Sequence, residues 1–133
     1  MHILLIDDDS IGLFLNERLL KREGFTGSIT SFSSAQDALG FVQTAEPNSL
    51  PQLILLDLNM PVMDGWDFLE ALRPQESLLL GRCHVYILTS SLAQSDATRI
   101  RDFPLVTGLI HKPLDAPQIQ AVRAQVETAN SLQ

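Results

Sequence analysis

Cysteine is nearly absent from this chain, and so are the long apolar runs that membrane proteins need. A single cysteine, Cys83, among 133 residues leaves no partner for an intrachain disulfide, which favours a reducing, cytoplasmic setting. No apolar stretch approaches the ~18 residues of a membrane span. The first residues, "MHILLI", lack the basic segment and the small-residue cleavage site of a signal peptide. Neither secretion nor a membrane partner is therefore expected.

Basic residues are also scarce. The sequence has 9 Lys and Arg against 16 Asp and Glu, which gives a net charge of −7. A nucleic-acid-binding domain needs a basic face, so no nucleic-acid partner is expected. The three histidines, His2, His84 and His111, lack the spacing of zinc ligands. A zinc site is therefore not expected either.

The chain does have the composition and length of one folded domain. Hydrophobic residues make up 45% of it, a value typical of globular rather than disordered proteins. No internal repeat, low-complexity segment or linker divides the sequence. We therefore expect a single domain over residues 1–133, with no separate output domain.

Short apolar runs alternate with helical patterns along the chain. The runs predict five strands, at 2–6, 27–32, 52–56, 83–88 and 107–111. The intervening patterns predict five helices, which begin near Ser10, Ala35, Trp66, Gln94 and Asp115. This alternation is typical of an α/β fold with a parallel sheet.

The first predicted helix carries an apolar stripe and a candidate cap. The stripe consists of residues at the i, i+3, i+4 and i+8 positions, namely Ile11, Phe14, Leu15 and Leu19. Asp9 or Ser10 can cap the start of the helix. We predict that Asp9 is a helix cap rather than a metal ligand.

Polar side chains lie where four of the predicted strands end. They are Asp7, Asp8 and Asp9 after the first strand, Asp57 at the end of the third, Thr89 and Ser90 after the fourth, and Lys112 after the fifth. In an open parallel sheet, ligands bind beyond the carboxyl ends of the strands. We therefore expect these residues to contribute to one site.

The residue types in this set indicate phosphoryl chemistry. Neighbouring carboxylates repel each other unless something neutralises them, and hard oxygen ligands suit Mg²⁺. A carboxylate can also be a nucleophile that forms an aspartyl phosphate. The transition state then needs a metal, a cationic side chain and a hydroxyl donor. Asp8, Lys112 and Thr89 supply that set around Asp57, which is the predicted phosphoacceptor.

Four segments together carry a family resemblance. They are "LLIDDD" (4–9), "LILLDLNMPVMDGWDFL" (53–69), "ILTSS" (87–91) and "HKP" (111–113). In this order and at these distances, they make the chain resemble the receiver domain of bacterial two-component response regulators, over about residues 2–128. The likeness is to stand-alone, chemotaxis-regulator-like receivers. It implies a flavodoxin-like (βα)5 three-layer sandwich with strand order 2-1-3-4-5.

The resemblance also implies roles for individual residues. Asp57 would take a phosphoryl group from a sensor histidine kinase or a histidine phosphotransfer protein. The Mg²⁺ ligands would be Asp7, Asp8, Asp57 and the backbone carbonyl of Asn59. Thr89, Ser90 and Lys112 would stabilise the phosphate, and the Lys112–Pro113 bond would be cis. Such a domain is not a conventional enzyme, although it catalyses its own phosphorylation and dephosphorylation.

One position departs from the family pattern. Leu109 stands where relatives usually have an aromatic switch residue on the fifth strand. We therefore expect Thr89 and the loop 90–95 to carry most of the change on phosphorylation, while Leu109 only repacks. The expected output surface comprises helix four, strand five and helix five. It would bind an unknown downstream protein, and it is where a homodimer would form on activation.

Two other classes of function stay open at this point. A haloacid-dehalogenase-type phosphatase also uses an Asp nucleophile, and Asp7 and Asp9 formally match its D-x-D pattern. That class usually needs a longer chain and more acids after the lysine. A non-phosphorylated pseudo-receiver would be a pure interaction module, but such domains usually lose one of the acid, threonine or lysine positions.

Overall fold

The computed structural model describes residues 1–90 and 94–131, which contain five parallel strands flanked by helices. The strands are β1 (His2–Ile6), β2 (Ser28–Phe32), β3 (Leu53–Asp57), β4 (His84–Thr89) and β5 (Val106–His111). The repeating helices are α1 (Ser10–Arg22), α2 (Ala35–Thr44), α3 (Gly65–Ala71), α4 (Gln94–Arg99) and α5 (Ala116–Ser131). Each strand lies within one residue of its predicted bounds.

The sheet has the order β2-β1-β3-β4-β5, which confirms the predicted flavodoxin-like topology. From β1 the chain first adds β2 on one side and then returns to place β3 on the other. The strand order therefore reverses between β1 and β3, where ligands bind in open α/β sheets. All five residues of β3 are buried, including the last, Asp57.

Successive strand residues face opposite sides of the sheet and form two apolar layers. In β1, Leu4 and Ile6 belong to the layer under α2, α3 and the residues around α4, whereas Ile3 and Leu5 belong to the layer under α1 and α5. The α5 side chains in that second layer are Ile119, Val122 and Val126. Both faces of the central strands are thus covered, and their polar residues are confined to the strand ends.

Most of the predicted apolar stripe of α1 faces away from this core, and only its last member, Leu19, is partly buried and packs against it. Leu13 and Leu20 are buried against the sheet, whereas Ile11, Phe14 and Leu15 are 69%, 57% and 57% exposed. At about 100° per residue, Leu15 lies roughly 200° around the helix from Leu13. The helix therefore has two apolar faces. The sequence pattern predicted the face that carries Leu15, whereas the face that carries Leu13 packs against the sheet.

The start of α1 agrees with its predicted cap. The Asp9 side chain accepts a hydrogen bond from the backbone N–H of Ile11, at 3.1 Å, and so caps the helix. Because only Asp8 and Asp9 separate the buried Asp7 from the first turn, this short link fixes the rotation of α1. The face that reaches the sheet is the one that carries Leu13.

The connection from α3 to β4 contains an element that the sequence patterns did not predict. A single-turn helix, Glu76–Leu79, follows a 3₁₀ turn at Arg73–Gln75. Leu79 is buried, whereas Leu78 and Leu80 on either side of it are exposed. Four residues are too few to show a helical period, which is why the apolar pattern gave no signal there.

Two further expectations concern Cys83 and the membrane. Cys83 is buried beside the start of β4, and burial raises the pKa of its thiol to about 12, so it packs as a small apolar side chain. Among residues 1–90 and 94–131, no helix combines the length and the apolar character that spanning a membrane requires.

Leu20 and Leu15 offer a matched test of the rotation of α1. We predict that Leu20→Ala lowers the free energy of unfolding by about 2–5 kcal/mol, because it empties a fully buried position. The same change at exposed Leu15 should alter that free energy by no more than ~0.5 kcal/mol. Urea unfolding followed by circular dichroism measures both values. Equal losses in the two variants would contradict the observed rotation.

Candidate functional site

Three carboxylates meet at the carboxyl ends of β1 and β3. One oxygen from each of Asp7, Asp8 and Asp57 lies within 4.8 Å of the other two. Asp7 and Asp57 are only 3% and 4% exposed, while Asp8 is exposed at the rim. Of the four strand-end acids that the sequence patterns grouped together, Asp7, Asp8 and Asp57 therefore lie together, whereas Asp9 caps α1.

Lys112 reaches this acidic group from the end of β5. Its Nζ lies 3.1 Å from Asp7 Oδ2 and 3.0 Å from Asp57 Oδ1. The backbone N–H of Lys112 donates to the carbonyl of Thr89 at 2.8 Å, and the Lys112–Pro113 peptide bond is cis. These contacts place the ammonium between the two buried carboxylates.

Backbone donors fix the orientation of both carboxylates. The N–H of Asp9 donates to Asp7 Oδ1 at 2.9 Å, and the N–H of Asn59 points at Asp57 Oδ1 at 3.4 Å. The second distance is long for a hydrogen bond, so Asp57 is held mainly by Lys112. The contacts described for Asp57 thus involve its Oδ1, whereas those of Asp7 involve both of its oxygens.

Hydroxyl groups from β4 complete this edge of the sheet. Thr89 is the last residue of β4 and is buried, and its neighbour Leu88 pairs with Asp57 across the β3–β4 ladder. Ser90 follows and is exposed, as is Asn59 on the neighbouring loop. Thr89 and Ser90 therefore lie at the same edge of the sheet as the acidic group, as the strand-end pattern predicted, and Asn59 lies on the loop that follows Asp57. Ser91 lies outside the described residues.

The environment shifts the protonation of both central residues. Burial is the main reason why the pKa of Asp57 rises to about 6; the hydrogen bond from Lys112 opposes this rise, and the negative charge of Asp7 adds to it. Burial alone would lower the pKa of Lys112, but its hydrogen bonds to Asp57 and Asp7 and their charges raise it. Lys112 is therefore charged at neutral pH.

The donor set suits a hard divalent cation. Asp7, Asp8 and Asp57 offer three carboxylates, and Lys112 supplies one compensating positive charge. Mg²⁺ prefers such oxygen ligands and retains part of its water shell, for which the exposed side at Asp8 leaves access. The residues present therefore fit a magnesium ion.

Gly65 matters to the loop between β3 and α3, for a reason that sequence patterns alone do not reveal. A Cβ at this position would lie 3.0 Å from the carbonyl oxygen of Asp57 and 3.0 Å from the Cα of Leu58. The Gly65 N–H also donates to the Leu58 carbonyl at 2.9 Å. The first residue of α3 is thus packed directly against the strand end that carries Asp57.

Val62 and the start of α3 define the rest of this loop. Asp64 and Asp67 form a reciprocal capping box at the start of α3. Val62, in contrast, is exposed and has a φ of 70°, a left-handed conformation that is unfavourable for a β-branched residue. The loop therefore combines a rigid end with a strained tip.

Leu109 lies inside β5, three residues before Lys112. It is half-buried and packs against the layer that contains α3 and the residues after α4. An aromatic residue is therefore replaced here by an aliphatic one that still contributes to the core.

The acids, hydroxyls and lysine at the switch point of a 2-1-3-4-5 sheet define a flavodoxin-like domain with an acidic strand-end site.

The chain belongs to the response regulator receiver domain family, whose model matches residues 3–123. It is 31% identical over 127 residues to the probable methanogenesis regulatory protein FilR2 of Methanothrix harundinacea, a match that covers 94% of this chain and 80% of that protein. It is also 41% identical over 73 residues to the cell cycle transcriptional regulator CtrA of Caulobacter vibrioides, of which it spans only 29%.

Solved structures agree with this assignment. A response regulator receiver protein from Dyadobacter fermentans superposes with a TM-score of 0.82 at 28% identity, covering 96% of this chain and 98% of that chain. The chain is thus a module of two-component signalling rather than a conventional enzyme. This family binds Mg²⁺ in an acidic pocket and interacts with kinases or phosphotransfer proteins. The match of its model over residues 3–123 sets aside the haloacid-dehalogenase alternative.

The raised pKa of Asp57 predicts that the stability of the metal-free protein depends on pH. The folded state holds this proton more tightly than the unfolded state, so stability falls as the pH rises from the ordinary value of 3.8 to about 6. Asp57→Asn should therefore raise the melting temperature by several degrees at pH values above that window. The gain should shrink near the lower end of the window, where wild-type Asp57 is protonated.

Thermal melts in EDTA across this pH range measure the effect. Asp37→Asn is the control, since Asp37 is an exposed acid on α2. A gain that does not change with pH, or that also appears in the Asp37 variant, would contradict the assigned cause.

Proposed function

We propose that this domain accepts a phosphoryl group on Asp57 from a phosphohistidine of a sensor kinase or phosphotransfer protein, in a Mg²⁺-dependent reaction. The observation that carries the proposal is the position of Asp57. It is the buried acid at the end of β3, it lies 3.0 Å from the Lys112 ammonium, and it shares its site with Asp7 and Asp8.

In the proposed transfer, an Asp57 oxygen attacks phosphorus while the bond from phosphorus to the donor histidine nitrogen breaks. Asp7, Asp8, Asp57 and the Asn59 carbonyl would hold Mg²⁺, which neutralises charge on the phosphoryl oxygens when it is bound. Lys112 would pair with a further phosphoryl oxygen. Thr89 and Ser90 would donate hydrogen bonds to the same group.

The complete residue set also argues for activity rather than a pseudo-receiver. The acids, the hydroxyls and the lysine are all present, and Lys112 is already oriented towards Asp57. Hydrolysis of the aspartyl phosphate at the same site would reset the domain.

We further propose that the domain works in the cytoplasm and signals by phosphorylation-dependent binding to a downstream protein, through the face formed by α4, β5 and α5. Self-association into a homodimer would use that face too.

The phosphodonor is proposed to dock on the exposed apolar face of α1. A groove of about 890 Å³ runs from Asp7 and Lys112 along α1, and Ile11, Leu15 and Leu114 lie among its lining residues. Large apolar side chains exposed beside a buried reactive acid are typical of an interaction surface. A helical donor seated there would bring its histidine to the edge of the sheet where Asp57 lies.

Phosphorylation by a small-molecule donor tests the assignment of Asp57. Incubation with acetyl phosphate and Mg²⁺ should add one phosphoryl group to the intact mass. Asp57→Asn should abolish the gain, because the nucleophile is lost. Asp64→Asn is the control, since it changes a nearby acid but keeps a side chain that can cap α3. The proposal would be overturned if the Asp57 variant gained a phosphoryl group, or if the wild-type protein gained none.

Asp8 and Asp9 should differ in their effect on Mg²⁺. Asp8 belongs to the carboxylate group of the site, whereas Asp9 caps α1. Asp8→Ala should therefore abolish most of the rise in melting temperature that Mg²⁺ produces. Asp9→Ala should retain that rise but lower stability by about 1 kcal/mol with or without Mg²⁺. Equal loss of the Mg²⁺ effect in both variants would contradict the assignment.

A comparison of two donors tests the docking face. Leu15→Ser should slow phosphotransfer from a phosphorylated histidine phosphotransfer protein at least tenfold, because it removes an apolar contact from the proposed interface. The rate with acetyl phosphate should stay the same. Leu78→Ser is the matched control, since Leu78 is also exposed but lies before β4, away from the groove. A wild-type rate with the protein donor would count against docking on α1.

A further inference from the structure

The aromatic residue missing at position 109 raises the question of what links the Asp57 site to α4. Trp66, the single tryptophan of the chain, lies in the first turn of α3 and is buried. Its ring stacks on that of Phe103, with centroids 5.6 Å apart and planes inclined by 28°. Phe103 follows the 3₁₀ turn Ile100–Asp102, which continues directly from α4. An aromatic pair thus connects α3 to the end of α4.

Two arginines extend this pair into a stack of four side chains. The guanidinium carbon of Arg99 lies 4.7 Å from the centroid of the Trp66 ring, and that of Arg73 lies 4.4 Å from the centroid of Phe103. Both distances are within the range of cation–π attraction, which is strongest for tryptophan. We call Arg99, Trp66, Phe103 and Arg73 the cation–aromatic stack.

The Trp66 member of the stack is fixed to the strand that carries Asp57. Trp66 follows Gly65, whose N–H is bonded to the Leu58 carbonyl and whose Cα lies against the Asp57 backbone too closely to accept a side chain. The capping box of Asp64 and Asp67 further restrains this turn. A displacement at the Asp57 end of the loop therefore reaches the Trp66 ring without a flexible segment between them.

Next to Trp66, the stack ends at Arg99, the last residue of α4. Arg99 is exposed, and its described aromatic contact is with Trp66. Phe103 also contacts Arg73, whose guanidinium pairs with Glu70 at 3.0 Å and donates to the carbonyl of Asp102 at 2.9 Å. Leu109 packs into the same apolar layer but offers neither a ring nor a polar end.

We propose that the contact between Trp66 and Arg99 couples the state of Asp57 to the position of α4. In this chain it would do what an aromatic switch residue on β5 does in relatives. The inference rests on the proposed function, since it needs Asp57 to change state. The sequence-based expectation that Thr89 and the loop 90–95 carry most of the change stays a prediction beside this one, since residues 91–93 lie outside the described part of the chain.

A coupling contact differs measurably from a contact that only holds the fold together. A contact that is equally strong in both states changes stability but leaves the affinity for a ligand of the site unchanged. A contact that differs between the states changes that affinity, because the coupling of two sites is reciprocal. The affinity for a phosphoryl mimic therefore separates the two roles.

The experiment titrates the protein with beryllofluoride in the presence of Mg²⁺ and follows Trp66 emission. The variants are Arg99→Gln, which removes the cation, and Arg99→Lys, which keeps it. Arg101→Gln is the matched control, because Arg101 is exposed in the same segment. We expect Arg99→Gln to shift the half-saturating concentration at least threefold and to abolish the change in amide exchange over residues 94–103. Arg99→Lys and Arg101→Gln should behave like the wild type.

Two results would overturn the inference. One is an unchanged beryllofluoride affinity and exchange response in Arg99→Gln; the other is an equal shift in Arg101→Gln. The intact mass after treatment with acetyl phosphate keeps this failure separate from that of the proposed function. A wild-type protein that gains no phosphoryl group refutes the proposed function, whereas a phosphorylated Arg99→Gln protein with a wild-type response refutes only the role of the stack.

Discussion

The ammonium of Lys112 lies 3.1 Å from Asp7 and 3.0 Å from Asp57, and the carboxyl edge of the sheet depends on this contact. The two carboxylates end different strands and are almost fully buried, so they would repel each other without a cation between them. Lys112 reaches them from the end of β5, while its backbone is bonded to β4 at Thr89. One residue therefore fastens the ends of four neighbouring strands at the place where the polar groups collect.

The single positive charge of Lys112 does not balance the negative charges at this edge, and the excess negative charge favours the binding of a cation. Asp8 adds a third carboxylate to the group, while the strands beneath it are apolar and bring no positive charge. The folded domain would therefore gain stability from a cation that the acids share. A small divalent ion suits them, since it binds carboxylates and phosphoryl oxygens together. The mutual repulsion of these carboxylates and their suitability for a cation have the same origin, namely three negative charges close together.

Sequence patterns predicted the sheet and the members of the site, but not how the helices meet. An apolar run that stops at a polar residue marks the end of a strand in the sequence. Asp57 and Lys112 could therefore be assigned to one edge of the sheet from the sequence alone. Helix rotation carries no such signal, because α1 has two apolar faces and the link from Asp7 decides between them. The contact of Trp66 with Arg99 joins two separate elements, and no periodicity in a single sequence marks such a pair.

Gly65 has no functional group, yet its backbone lies against the strand end that bears Asp57 and next to the residue that bears the stacked indole. Any side chain there would push these two parts of the domain away from each other. The position matters because it carries no side-chain atoms, since a Cβ there would lie 3.0 Å from backbone atoms of Asp57 and Leu58. The exposed face of α1 can diverge and so change partners, while a single methyl group at position 65 would disturb the reactive acid and the neighbouring helix together.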